Sequence, residues 1–324
     1  MLNVQNLSTE VRVGGRWVPV VDQLSFLVDA GETLAIVGES GCGKSMTALS
    51  LIRLLQDQQS RIAGGSIRFE GEDLATLDEE ALCALRGRRM AMIFQEPMTS
   101  LNPVLTIGRQ ITEALRVHKL ADRSAARGRA IELLNLVRIP DAATRLDDYP
   151  HRLSGGMRQR AMIAAALACD PALLIADEPT TALDVTIQAQ ILALLRDLQR
   201  RLGLALIFIT HDLGVVAEIA DRVLVMYAGR AVEAGPVTDV LTKPRHPYTQ
   251  GLLRARPQGM DRRDQTLAEI PGRVPPPGAL PEGCGFHPRC SFAIDACRSA
   301  VPALEARSGH AVACIRAEEW GEVT

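Results

Sequence analysis

An apolar run, Thr33-Leu34-Ala35-Ile36-Val37, opens directly into Gly38-Glu39-Ser40-Gly41-Cys42-Gly43-Lys44-Ser45, and residues 44–55 follow with helical apolar spacing. A buried strand, a glycine-rich turn and a helix in that order fit G-x-x-x-x-G-K-[ST], the loop that wraps phosphate oxygens. The glycines let backbone N–H groups turn inward, and the positive end of the following helix favours negative charge. Lys44 is placed to reach the β- and γ-phosphates of a nucleotide, and the Ser45 hydroxyl to ligate Mg²⁺. A glycine-rich turn that binds nothing is the bland alternative; the strand–turn–helix context argues against it.

The rest of the chain alternates in the same way. Val11-Arg12-Val13 and Leu24–Val28 read as short strands, and Leu173-Leu174-Ile175-Ala176 and Leu204–Thr210 as buried ones. Helical periodicity covers 104–138, 160–169 (stopped by Pro171) and 185–202. Strands alternating with helices predict an α/β fold with a largely parallel sheet. At 324 residues the chain exceeds one ordinary core, and its 47% hydrophobic content suffices for sizeable ones. The net charge of −2 and pI of about 6.3 give no support to nucleic-acid binding, so the Arg86-Gly87-Arg88-Arg89 cluster reads as a solvated feature. No apolar run approaches the roughly 18 residues that cross a bilayer, and the first residues lack a signal-peptide pattern. A soluble cytoplasmic chain, reaching any membrane through partners and keeping its thiols reduced, is expected.

After the apolar run at 173–176 come Asp177 and Glu178. Asp177 is expected to hold Mg²⁺ through water, and Glu178, one residue on, to polarise the attacking water or take its proton. Acid pairs at strand ends are common in plain loops; the P-loop upstream gives this one its meaning.

Leu153-Ser154-Gly155-Gly156-Met157-Arg158-Gln159-Arg160 resembles the signature of the ABC family, with LSGGM in place of the commoner LSGGQ. Ser154 and two glycines at a helix start form a further anion-binding end, and Ser154 also suits a helix N-cap. The resemblance implies a P-loop NTPase (RecA-like) ABC cassette with a helical subdomain at about 96–160. It also implies that ATP joins two cassettes, the signature of one facing the γ-phosphate on the other. Gln95 resembles the glutamine that senses Mg²⁺ and water, Ala182-Leu183-Asp184 the segment crossing the dimer interface, and His211 the histidine that contacts the γ-phosphate. The likeness runs from residue 1 to about 250. It departs at the adenine: the family usually stacks the base on an aromatic residue before the P-loop, and Val11 and Val13 stand at that spacing, with Trp17 the nearest aromatic.

Within the family, Gln95-Glu96-Pro97-Met98-Thr99-Ser100-Leu101-Asn102-Pro103 and His246-Pro247-Tyr248-Thr249-Gln250-Gly251-Leu252-Leu253 resemble the oligopeptide/dipeptide/nickel importer group. Gly283-Cys284 and Phe286-His287-Pro288-Arg289-Cys290 resemble the C-terminal extension of its peptide-type ATPases, here residues 251–324 after the stiff stretch Pro271–Pro277. That likeness implies ATP hydrolysis driving peptide import at the cytoplasmic face of an inner membrane. The implied partners are a second ATPase chain, two membrane-spanning permease subunits contacted through Glu96–Pro103, and, indirectly, a periplasmic peptide-binding protein. An importer of nickel or another small solute is the alternative within transport. A soluble ABC protein of translation or repair is the alternative outside it, but such chains carry tandem cassettes or a long coiled-coil insertion.

Cys284, Cys290, Cys297 and Cys314 crowd a tail poor in aromatics and strands. Four thiolates there could bind Zn²⁺ or an iron–sulfur cluster. Zinc ribbons use tighter C-x₂₋₄-C pairs; the loose spacing, with the family likeness, points to a [4Fe–4S] cluster, and four buried free thiols are the bland alternative. Cys42, Cys83 and Cys169 read as small apolar residues.

Overall fold

The computed structural model describes residues 1–95, 100–181, 183–255 and 269–320. In chain order the strands are β1 (Leu2–Val13), β2 (Arg16–Val28), β3 (Thr33–Val37), β4 (Ser60–Phe69), β5 (Glu72–Asp73), β6 (Met90–Ile93), β7 (Leu173–Asp177), β8 (Ala205–Thr210), β9 (Arg222–Tyr227), β10 (Arg230–Pro236), β11 (Glu305–Arg307) and β12 (His310–Val312). The helices are α1 (Lys44–Leu51), α2 (Glu79–Leu85), α3 (Ile107–Val117), α4 (Arg123–Leu136), α5 (Ala142–Arg145), α6 (Gly155–Ala166), α7 (Val185–Leu202), α8 (Leu213–Ile219), α9 (Val237–Thr242), α10 (Pro247–Arg254) and α11 (Ala296–Ser299). They fall into two compact units, Met1–Leu27 with Thr33–Ala75 and Thr210–Thr324, and Val28–Glu32 with Thr76–Ile209. No described helix is long and apolar enough to cross a membrane.

The first unit opens on a hairpin. Gly14 and Gly15 join β1 to β2 with φ of 56° and 83°, the left-handed pair that a two-residue hairpin turn requires. The short strands expected here are therefore the ends of two long ones. They lie in a sheet of order β2-β1-β4-β5, with β1 antiparallel to β4. β3 pairs in parallel with β9, and β9, β10, β12 and β11 continue antiparallel. Every residue of β3 is buried, as the apolar run upstream of the P-loop demands. The core over β3 and β9 joins Ala35, Val37, Val223 and Val225 to Tyr227, Tyr248 and Phe286, so the C-terminal segment is part of it. Tyr227 and Tyr248 meet edge-on at 4.8 Å between centroids, and Phe286 lies 5.1 Å and 5.3 Å from them.

In the second unit β6, β7 and β8 run parallel, with Met90 opposite Leu173 and Leu173 opposite Ala205. The helical periodicity over 104–138 is carried by two helices. α3 ends at Val117, Lys119 turns left-handed (φ 54°), and the Asp122 carboxylate restarts the chain as α4 by accepting from the Ala125 N–H at 2.8 Å. α6 starts five residues before the periodicity at 160–169, at the Ser154 cap that the signature pattern marks, because Gly155 and Gly156 in its first turn are poor helix formers and carry no apolar spacing. α7 occupies 185–202, between the Asp184 N-cap and Gly203 in the left-handed conformation (φ 63°). Cys83 departs from expectation: it is exposed on α2, whereas Cys42 is buried and Cys169 half-buried.

Candidate active site

The P-loop lies in the first unit. Its glycines are required by close backbone approach. A Cβ on Gly38 would sit 2.3 Å from the Met226 carbonyl oxygen, and one on Gly43 (φ 105°) 2.5 Å from that of Val20. Gly43 caps α1 without a side chain. The Lys44 side chain is folded back on the loop, its ammonium donating to the Gly38 carbonyl at 2.7 Å and to that of Glu39 at 3.1 Å. Burial pushes the Cys42 thiol pKa up, against the opposing pull of Lys44. Cys42 is thus a packed apolar residue and not a nucleophile.

Glu39 is held twice. Its N–H donates to the Tyr248 hydroxyl at 2.8 Å, and its carboxylate forms a two-pronged ion pair with Arg289, 2.7 Å and 3.0 Å. Arg289 also donates to the carbonyls of Pro271 (2.8 Å) and Ile270 (3.3 Å). Its side chain is only 5% exposed, against 31% for Glu39. Burial disfavours the guanidinium charge, but the hydrogen bonds and charges of Glu39 and Tyr227 together outweigh it and hold the pKa above its ordinary value. Burial, then the Glu39 charge, raises the Tyr248 pKa, keeping the phenol neutral. Sequence reasoning missed the Arg289–Glu39 pair: nothing local signals a partner 250 positions away.

His211 is exposed just past β8. Asp212 beside it caps α8, accepting from the Gly214 N–H at 2.7 Å. Trp17 carries the Arg61 guanidinium 4.4 Å from its ring centroid, a cation–π contact that occupies the residue considered for adenine.

The acid pair lies in the second unit. Asp177 closes β7 and is 3% exposed. Glu178 follows with φ 46°, a left-handed conformation that costs a non-glycine residue of order 1 kcal/mol and tends to occur where function holds it. Its N–H donates to the Ile209 carbonyl at 2.9 Å. One carboxylate oxygen accepts from the Gln95 amide (3.1 Å) and from the Thr181 hydroxyl (2.9 Å). The chain thus brings Gln95 and Thr181 onto Glu178. Thr181 was missed, though a hydroxyl three residues after an acid is a readable local signal.

Ser154 caps α6, its hydroxyl accepting from the Met157 N–H at 3.3 Å, and Ser154 and Gly155 are exposed. A Cβ on Gly156 would meet Ile187 at 2.9 Å. The Asp184 carboxylate accepts from the Ile187 N–H at 2.9 Å. Glu96–Thr99 and Ala182 lie outside the described residues. A cavity of about 940 Å³ that none of these residues lines lies among Arg109, Arg116, Lys119, Arg123 and Asp147 on α3, α4 and the segment beyond. It reads as a solvated basic helical face.

Cys284, Cys290, Cys297 and Cys314 line one cavity in the first unit, with His246 and Phe286. Burial raises the pKa of Cys284, Cys290 and Cys314, so these thiols rest protonated. The expected [4Fe–4S] ligand set is not supported by this geometry. No group of three or more His, Cys, Asp or Glu among the described residues stands in a metal-ligating arrangement. The cavity they line is small, about 20 Å³.

Residues 21–181 match the ABC transporter family, and residues 232–297 the C-terminal region of oligopeptide/dipeptide transporters. The chain belongs to the ABC transporter family and is an ATP-binding cassette of its ATPase class. More particularly, it is 55% identical over all of its length, and 98% of the relative's, to "Putative peptide import ATP-binding protein BMEII0863" of Brucella melitensis biotype 1. A Brucella abortus relative of the same designation, BAB2_1052, is 55% identical over 97% of this chain and 94% of its own. Among solved structures, the dimeric post-hydrolysis cassette MJ0796 bound to ADP and Pi is 26% identical, with TM-score 0.65, covering 73% of this chain and 99% of its own.

Proposed function

We propose that this chain is the ATP-hydrolysing subunit of an ABC importer of di- and oligopeptides. It would pair with a second ATPase chain beneath two permease subunits at the cytoplasmic face of an inner membrane, where a periplasmic protein delivers the peptide. Lys44 and the amides of Gly38–Ser45 would take the phosphates, with the phosphate oxygens displacing the Gly38 and Glu39 carbonyls from the ammonium. Ser45, Gln95 and Asp177 would hold Mg²⁺, and His211 would meet the γ-phosphate. Ser154, Gly155, Gly156 and Asp184 would serve the partner cassette's nucleotide. Residues 251–324 are read as the peptide group's extension.

The observation that carries the hydrolytic reading is the grip of Gln95 and Thr181 on Glu178. A carboxylate gripped by two donors is held in one orientation, as a base that takes a proton from water must be. Replacing it by an amide removes the base without disturbing size. Glu178→Gln is expected to keep ATP binding, lower turnover of the reconstituted transporter about a thousandfold, and trap an ATP-bound dimer. Turnover within tenfold of wild type would remove Glu178 from the role.

A finer reading concerns the four tail thiols, taken together as a soft ligand set with a [4Fe–4S] cluster as its specific form. Their meeting on one cavity supports it. Brown anaerobic protein with about four irons per chain would support the cluster. Stoichiometric zinc would replace it, and metal-free protein would leave four packed thiols.

A further inference from the structure

The established motifs explain Lys44 and the glycines of the P-loop but leave Glu39 unexplained. A carboxylate at the second position of a loop that binds polyphosphate is unfavourable, because it adds negative charge where the ligand brings more. Here the Arg289 guanidinium answers that charge with two hydrogen bonds, from a side chain almost wholly withdrawn from water. A two-pronged pair with its guanidinium withdrawn from water is less screened than a surface pair and geometrically fixed. Arg289 is itself fixed by the Pro271 and Ile270 carbonyls and by the Tyr227 ring 5.7 Å from its Cζ. Tyr248 steadies the same loop residue through its backbone N–H. The loop's second residue is thus held by two side chains from beyond position 245, both belonging to the C-terminal region that marks the peptide group.

We propose that Arg289 is a positioning residue for ATP binding: it neutralises and fixes Glu39, so that the C-terminal extension sets the nucleotide affinity of the P-loop. The proposal rests on the reading of Gly38–Ser45 as the nucleotide site. Its consequence is regulatory. Arg289 directly precedes Cys290, which lines the thiol cavity, so whatever loosens or tightens that turn of chain reaches the loop as a change in ATP affinity.

The full-length chain tests this with a fluorescent ATP analogue and steady-state hydrolysis. Arg289→Ala should weaken ATP binding about tenfold and raise KM in step, with kcat within twofold. Adding Glu39→Gln should recover most of that loss, because the uncompensated carboxylate is what harms binding. Arg289→Lys, which keeps the charge and loses the fork, should fall between. Unchanged affinity in Arg289→Ala overturns the proposal. So does a double variant as weak as Arg289→Ala, since a merely structural loss would not be repaired by a second change. If Arg289→Ala does not fold, Arg289→Gln carries the same prediction, because it keeps a donor for the Pro271 carbonyl without the charge. Wild-type chain that fails to bind ATP would instead sink the nucleotide-site reading itself.

Discussion

The P-loop region and the acid-pair region are stabilised on different length scales. Around Glu39 the restraints come from Tyr248 and Arg289, 209 and 250 positions away. Around Glu178 and the neighbouring helix start they are mostly local: Thr181 is three residues from Glu178, and Asp184 caps the amide of Ile187, three residues on. Gln95 and the Ile209 carbonyl are long-range exceptions. A region held by distant residues can respond to events elsewhere in the fold, whereas one held by its neighbours keeps its geometry whatever happens there. The first suits a binding step open to regulation, and the second a chemical step that must stay aligned.

The comparison breaks most visibly at Phe286. Its ring is 4% exposed and packs on Tyr227 and Tyr248, so Phe286→Ala should cost roughly 3–5 kcal/mol. Thermal unfolding of the full chain reads the loss. Hydrogen exchange should show faster exchange at the Glu39 amide, whose acceptor is Tyr248, with no change at the Glu178 amide. Equal loosening at both would mean that the two regions do not differ in the way described.

What the sequence revealed follows the same division. The P-loop, β3, β7 and α7 were legible because each is specified by a contiguous pattern. The β1–β2 hairpin was misread as fragments although Gly14-Gly15 is a strong turn signal, since attention to alternation alone cuts a strand wherever polar residues interrupt it. The break between α3 and α4 was hidden by apolar periodicity that continues on both sides of Asp122. Arg289 was invisible as a functional residue. It was noticed only as part of a family likeness, because a charge pair across 250 positions has no local signature. The four tail thiols line one cavity, but their spacing in the sequence says nothing of the volume they enclose.

A smaller effect comes from pH. His246 is buried, and burial lowers its pKa from 6.5 to about 4, with the Glu233 charge opposing the shift. Its Nδ1 accepts from the Tyr248 N–H at 3.1 Å, so protonation there would end the cap of α10. The folded chain binds the proton less tightly than the unfolded one. The stabilisation is therefore complete above about pH 6.5 and is lost as pH falls towards 4, by roughly 3 kcal/mol at most. Urea midpoints between these pH values should fall on acidification in wild type, and more gently in His246→Asn, which can still cap but does not titrate there. Parallel acid limbs in the two proteins would assign the loss to other groups.

The smallest effect tests the local side. Asp184 caps α7 through the Ile187 N–H, and an N-cap carboxylate is worth about 1 kcal/mol. Asp184→Ala should lower stability by about that amount while leaving exchange at the Glu39 amide unchanged. Asp184→Asn separates capping from charge, because asparagine caps as well as aspartate. If the carboxylate serves only the helix, Asp184→Asn will match wild type in both stability and ATP turnover. If it also acts across the interface to a partner cassette, turnover in the assembled transporter will drop while stability holds. A drop in stability with Asp184→Asn as large as with Ala would show that the hydrogen bond to Ile187 is not what fixes the start of α7.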